Sequence, residues 1–521
     1  MKKNSKNKEI NEGLRFIAKS SAFILFTVFM SKVLSYIYRI IIARYLGPEA
    51  YGLFSLALMI LGWFLAFSSF GLAEGLLRFI SIYRGKKQPA KIKYLVRFSL
   101  IFLVFSTILS GAAMFFLADY ISLTFFNNPD LIIFLKWFSI LVPVSIFASI
   151  FASILKSYEK IYWYSFINNV LQNGVKLIVL VILLLIGLKT NALIFSYILG
   201  ILSMLIVSYF LCKYKISEVF GNYNLTLDKK NEIKKELLSY SWPLIFSGII
   251  MSIFYWIDTF TIGYFLSRSL SPQEGARYVG FYNAAIPITG LLSISTDLFL
   301  QLFFPLITKE FGKRNFDKIK ELSKQVGKWI FLINLPIFLI LFIFPGAVIN
   351  ILFGKEYLAA ENVVRILSVS ACFGAFVVIS TNLLSMLGKS KLILTNLFIA
   401  SLLNLILDII LVPRYGINGA AIATMIVWVS YAIVVLLQVK KFLSFVPFRR
   451  TMIKIFFVSL IPACLLLIIK KFLVINLFSM FLLVSFFFLS YILLIFLTKC
   501  LDNYDLMILK SVKHKLFNSN L

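Results

Sequence analysis

Apolar runs of about twenty residues recur along the whole of this chain, and a run of that length is what an α-helix needs to cross a bilayer. They lie at 19–45, 50–80, 94–117, 131–155, 162–187, 192–212, 239–265, 279–306, 328–349, 363–387, 392–411, 417–439, 455–469 and 475–498. Hydrophobic residues make up 60% of the 521 positions and charged residues 14%. Soluble domains carry about 45–50% and about 25%. The chain is therefore expected to be an all-α polytopic membrane protein with fourteen transmembrane helices, and a soluble enzyme is excluded.

The basic residues test that count. The chain holds 52 Lys and Arg against 22 Asp and Glu. The segments 1–15, 83–93, 156–161, 213–238, 309–328, 388–391, 440–454 and 499–521 together carry 36 of the 52. The intervening loops carry 8. Cytoplasmic loops are the basic ones, so this alternation predicts an even number of crossings with both termini in the cytoplasm. The net charge of +30 is then a topology signal, and no nucleic-acid partner is expected. The first run is too long for a signal-peptide core and is expected to be retained.

Several chemistries fall away. No loop exceeds about 26 residues, which leaves no room for a catalytic domain, and a domain needs about 50 or more. No GxxxxGK[ST] phosphate loop occurs. Cys212, Cys372, Cys464 and Cys500 are scattered, and the single His514 sits in a polar tail. Neither a disulfide framework nor a metal site is expected. The chain reads as a non-enzyme without a cofactor, open to coupling with a cation gradient or the membrane potential.

An internal duplication is visible. Tyr36-Ile37-Tyr38-Arg39 resembles Tyr255-Trp256-Ile257-Asp258 at an offset of 219. Ala50 to Ala57 resembles Tyr278 to Ala285, and matching Gly52 to Gly280 gives an offset of 228. Two six-helix lobes result, related as a parallel repeat about the membrane normal, with two further C-terminal helices. The expected divisions are an N-lobe at 1–212, a basic linker at 213–238, a C-lobe at 239–439, helices 13 and 14 at 440–498, and a tail at 499–521.

The segment RIIIARYLGPEAYG at residues 39–52 resembles the signature of the polysaccharide biosynthesis (oligosaccharide flippase) family. That family shares a superfamily with the multidrug and toxin extrusion transporters and the lipid II flippase. The resemblance implies a V-shaped pair of lobes around a cavity, alternating access, and a lipid-linked sugar carried from the cytoplasmic to the outer leaflet of the cell membrane. Glycosyltransferases or a polymerase are the implied partners. In LGPEAYG itself, Gly47-Pro48 is expected to end the first helix. Gly52 is expected to let the second helix start close against the first.

Charges at bilayer depth cost about 2.5–3.5 kcal/mol or more and therefore face a cavity or a partner. Lys32, Tyr36 and Arg39 follow an i, i+4, i+7 spacing on one stripe of the first helix. With Lys176 they form a candidate positive wall for a phosphate or pyrophosphate. The alternative is ion pairing with acidic residues on neighbouring helices. Asp258 stands where the first copy has Arg39. Asp258 and Asp297 either pair with Lys32 and Arg39 or hold a coupling cation or proton. Glu74 and Arg78, spaced i, i+4, are expected to form a local ion bridge. Asp408 is read as reaching the membrane interface, and Lys136 and Arg365 as snorkelling. Two other functions stay open: a cation-coupled antiporter of drugs or metabolites, and a membrane scaffold for polysaccharide assembly.

Overall fold

A computed structural model describes residues 2–219, 221, 226–470, 476–502 and 505, with side chains from Phe23 onward except at Ser217, Leu302 and Leu477. Most of the 499–521 tail, including His514, and part of the 213–238 linker lie outside the described residues.

Every described regular element is helical. A helix satisfies all its backbone hydrogen bonds within one segment, which lipid requires. The first run, Lys2–Ser68, is two helices, α1 (2–46) and α2 (48–68), separated by Gly47 at φ 80° and ψ 175°. Then follow α3 (Leu72–Gly85), α4 (Pro89–Phe116), α5 (Ala118–Phe126), α6 (Asp130–Ser139) and α7 (Leu141–Ser157). Next are α8 (Ile161–Leu185), α9 (Lys189–Lys215), α10 (Leu227–Ser269) and α11 (Pro272–Gly312). They are followed by α12 (Phe316–Ile343), α13 (Pro345–Leu352) and α14 (Glu361–Met386). Ser390–Leu443 divides into α15 (390–415) and α16 (417–443) at Gly416, φ 56°. The last two are α17 (Arg450–Lys470) and α18 (Leu477–Leu497).

Eleven of the described runs are long and apolar enough to span a membrane, and α6 with α7, bent by 40°, makes a twelfth if taken together. Two of the eleven contain the breaks at Gly47 and Gly416. The run expected at 50–80 also breaks, because Phe70 and Gly71 take positive φ of 49° and 62° and divert the chain between α2 and α3. Large apolar side chains face outward, among them Phe105 at 73% and Leu185 at 83% exposure. Such a surface belongs in hydrocarbon, not water.

Two compact units divide the chain. One comprises Met1–Ala284 with Leu397–Ala420, the other Ala285–Asn396 with Ala421–Leu521. In the first, Leu76, Ile80, Leu95, Ile154 and Leu237 belong to a fully buried core of α3, α4, α7 and α10. In the second, Leu335, Ile343, Phe487 and Tyr491 anchor α12 against α18. The end of the second unit is fastened by a polar knot. The Nζ of Lys328, fully buried, lies 2.5 Å from an Asp505 oxygen and 2.9 Å from one of Asp502. Arg449 also reaches Asp502, at 2.8 Å.

The LGPEAYG segment corrects one expectation. Gly47 and Pro48 do end α1, but Gly52 does not serve the approach of α2 to α1. A Cβ on Gly52 would stand 1.7 Å from the Ala276 carbonyl oxygen and 2.9 Å from the Gly280 nitrogen. One on Gly280 would stand 1.9 Å from the Pro48 carbonyl oxygen. The glycine lets α2 cross α11 at backbone contact, so the segments that resemble each other around Gly52 and Gly280 meet.

Candidate functional site

The first unit holds both polar centres. On α1, Arg39 is half-buried, and its Nη1 donates to the Tyr51 hydroxyl at 3.2 Å. Tyr51, 1% exposed, donates in turn to the Asn283 carbonyl at 3.3 Å. Lys176 on α8 is 7% exposed. Its stem crosses α9 at Gly200, where a Cβ would meet the Lys176 Cγ at 2.3 Å. Its ammonium lies 4.2 Å from the centre of the Tyr197 ring. Arg39 and Lys176 feel each other electrostatically, and Tyr197 and Tyr255 lie within the same reach of Arg39. Among the described residues neither cation has an ion-pair partner, and Asp258 is held by other side chains. Two cations thus lie beside Tyr51 and Tyr197 in the first unit. Lys32 and Tyr36, both half-buried, continue the stripe along α1.

Asp258 belongs to the second centre. Its Oδ1 accepts from Asn404 Nδ2 at 2.7 Å, and its Oδ2 accepts from the Tyr282 hydroxyl. Asp408 lies close enough to it for the two carboxyl groups to interact electrostatically. Asp408 is fully buried, and its Oδ2 accepts from Thr261 Oγ1 at 2.9 Å. The interfacial placement expected for Asp408 is thus corrected: α15 turns it inward onto α10. Asp408 Oδ1 and Asn404 Oδ1 are buried acceptors without a hydrogen-bond donor. Two carboxylates placed close together repel each other when both are charged.

Asp297 is half-buried on the part of α11 that belongs to the second unit. Glu74 and Arg78 are exposed, and no ion pair joins them among the described residues. The Arg78 guanidinium lies instead 4.5 Å from the centre of the Tyr240 ring. A cation over an aromatic face keeps its hydration on the other side, so the i, i+4 spacing alone did not decide its partner. Lys136 and Arg365 are paired rather than snorkelling, with Asp119 at 2.9 Å and Glu361 at 3.2 Å.

The profile of the family described as polysaccharide biosynthesis protein matches residues 17–311, more than half of the chain. The chain belongs to that family. A second profile, MatE, matches residues 243–410. Among relatives of this polysaccharide biosynthesis protein, an uncharacterized membrane protein of Methanocaldococcus jannaschii is 28% identical over 78% of this chain and 81% of its own length. A Shigella flexneri protein named for O-antigen transport is 25% identical over 73% of this chain and 88% of its own. In fold, the chain is similar to a solved lipid II flippase in an inward closed conformation. The TM-score is 0.70 at 17% identity, over 90% of this chain and 97% of that one. The family places the chain as a multi-pass membrane protein of polysaccharide biosynthesis.

Proposed function

We propose that this protein moves a lipid-linked oligosaccharide or polysaccharide repeat unit from the cytoplasmic to the outer leaflet of the cell membrane by alternating access. Fourteen crossings with both termini in the cytoplasm fit the breaks at Gly47 and Gly416, the bent α6–α7 pair and the alternation of basic loops. The observation that carries the reading is the cation couple of Arg39 and Lys176 beside Tyr51 and Tyr197, with no ion-pair partner among the described residues. A phosphate or pyrophosphate joining lipid to sugar supplies the missing negative charge, taken by the planar fork of arginine and the point charge of lysine. An organic cation would be repelled by the same couple, which disfavours a drug antiporter at this site.

Asp258 and Asp408 supply the coupling step in this scheme. A proton or cation entering between the two carboxyls changes the charge carried by α10 and α15, and the gradient of that ion gives the transport its direction. The test is export of a surface glycan in cells depending on this protein. Arg39→Ala is expected to abolish export at normal protein levels. Export undiminished at normal protein levels would rule the reading out.

A further inference from the structure

Helix α8 is not regular. Residues Phe166–Leu171 form a π-helical turn inside it. Such a turn inserts one residue into the helical ladder, costs local hydrogen-bond geometry, and is commonly kept where it aims side chains at a ligand. Four carboxamides cluster on and just after this turn: Asn168, Asn169, Gln172 and Asn173, all half-buried. Asn169 Nδ2 donates to Thr27 Oγ1 at 3.3 Å and Asn173 Nδ2 to Ser31 Oγ at 2.9 Å. These two rungs fix α8 against α1. Asn168 Nδ2 donates to the Tyr164 carbonyl at 3.0 Å. The three amide oxygens are left as fixed acceptors, and the Gln172 side chain makes no hydrogen bond among the described residues. Lys176 continues the Asn169–Asn173 stripe at i+7, about 10 Å along the helix from Asn169.

Packing on α1 explains the two rungs, but it does not explain Asn168 and Gln172, whose side chains make no hydrogen bond to α1 among the described residues. A carboxamide offers both donors and an acceptor, as neighbouring hydroxyls on a sugar ring do. It recognises no anion by charge. We propose that Asn168, Asn169, Gln172 and Asn173 form a hydroxyl-binding subsite for the sugar next to the phosphate held by Arg39 and Lys176. The subsite presupposes the lipid-linked sugar substrate proposed above. It adds that the protein distinguishes a sugar-bearing lipid from the bare carrier, and reads the first sugar on α8.

The test uses the full-length protein in nanodiscs. The probes are undecaprenyl pyrophosphate and the same lipid bearing one N-acetylglucosamine, glucose or galactose. Binding is followed by intrinsic tryptophan fluorescence, and thermal unfolding is recorded for each variant. Wild type is expected to bind at least one sugar-bearing form more tightly than the bare lipid. Gln172→Met and Asn168→Leu, which keep shape and spare the α1 rungs, are expected to lose about tenfold in affinity for that form. They should bind the bare lipid as wild type does and unfold at the same temperature. Arg39→Ala should lose both ligands. Equal loss for both lipids, or no loss for either, overturns the subsite while leaving the flippase reading standing. Wild type that binds neither lipid overturns both.

Discussion

Gly52 and Gly280 lie against each other's backbone, each occupying the space that a side chain on the other's helix would need. Their offset of 228 is the one that aligns Ala50–Ala57 with Tyr278–Ala285. These two similar segments therefore meet where α2 crosses α11. A methyl group at either position strikes a main-chain carbonyl, which cannot rotate away. Gly52→Ala and Gly280→Ala should each destabilise the protein by about 3 kcal/mol or more, the upper range for overpacking. Gly248→Ala, in α10 with nothing within 4 Å of the new carbon, should be neutral or stabilise by about 0.5–1 kcal/mol. Thermal unfolding in detergent separates these outcomes, and equal melting of all three variants would contradict the crossing.

Lys176 is a buried cation with no acidic partner among the described residues. A structural lysine would lose stability when neutralised. A lysine held for a ligand should gain it, because the unpaired charge costs about 2.5–3.5 kcal/mol at bilayer depth. Lys176→Met should raise the melting temperature and abolish transport together. Gly200→Ala, which pushes a methyl into the lysine stem, should impair transport through displacement of the same side chain.

Asp408→Asn removes one member of the carboxyl pair but keeps a side chain of the same shape. The protein should fold, and transport should lose its dependence on an imposed ion or proton gradient. Flux measured in vesicles with and without the gradient checks this. A variant that keeps its response to every imposed gradient removes the coupling role.

How much of this could be read beforehand differs by residue. The helical class and the break at Gly47-Pro48 were legible, because periodicity and backbone chemistry are properties of the sequence itself; the contact of Gly52 with the α11 backbone was not, because an offset says which residues correspond and not which ones touch. The importance of Asp408 was not. Its meaning depends on Asp258, 150 positions earlier, and no local spacing says which two helices will touch. Arg78 shows the converse: a textual i, i+4 partner at Glu74 lost to the distant ring of Tyr240. The π-turn in α8 left no trace in a run that reads as an ordinary apolar helix.

The knot at the end of the second unit has its own pH signature. Burial works against the charge of Asp505, but hydrogen bonds from Lys328, Trp329 and the Asp502 N–H outweigh it and hold the carboxyl below its usual range. An aspartate held low when folded stabilises fully above its unfolded value of about 3.9 and loses that stability as pH falls through the lower folded one. Asp505→Asn should therefore cost about 1–3 kcal/mol near neutrality, because Lys328 keeps Asp502 but loses its nearer carboxylate. The difference from wild type should shrink in acid. Unfolding midpoints across a pH series check both statements.

The central claim is movement of a lipid-linked sugar dependent on the Arg39–Lys176 couple. It is tested most directly in proteoliposomes loaded with such a lipid in both leaflets and exposed to a membrane-impermeant glycosidase. With wild-type protein the enzyme should eventually reach the whole lipid pool. With Arg39→Ala, or without protein, it should reach the outer-leaflet share alone. Wild-type vesicles that protect their inner leaflet as fully as empty ones would contradict the account.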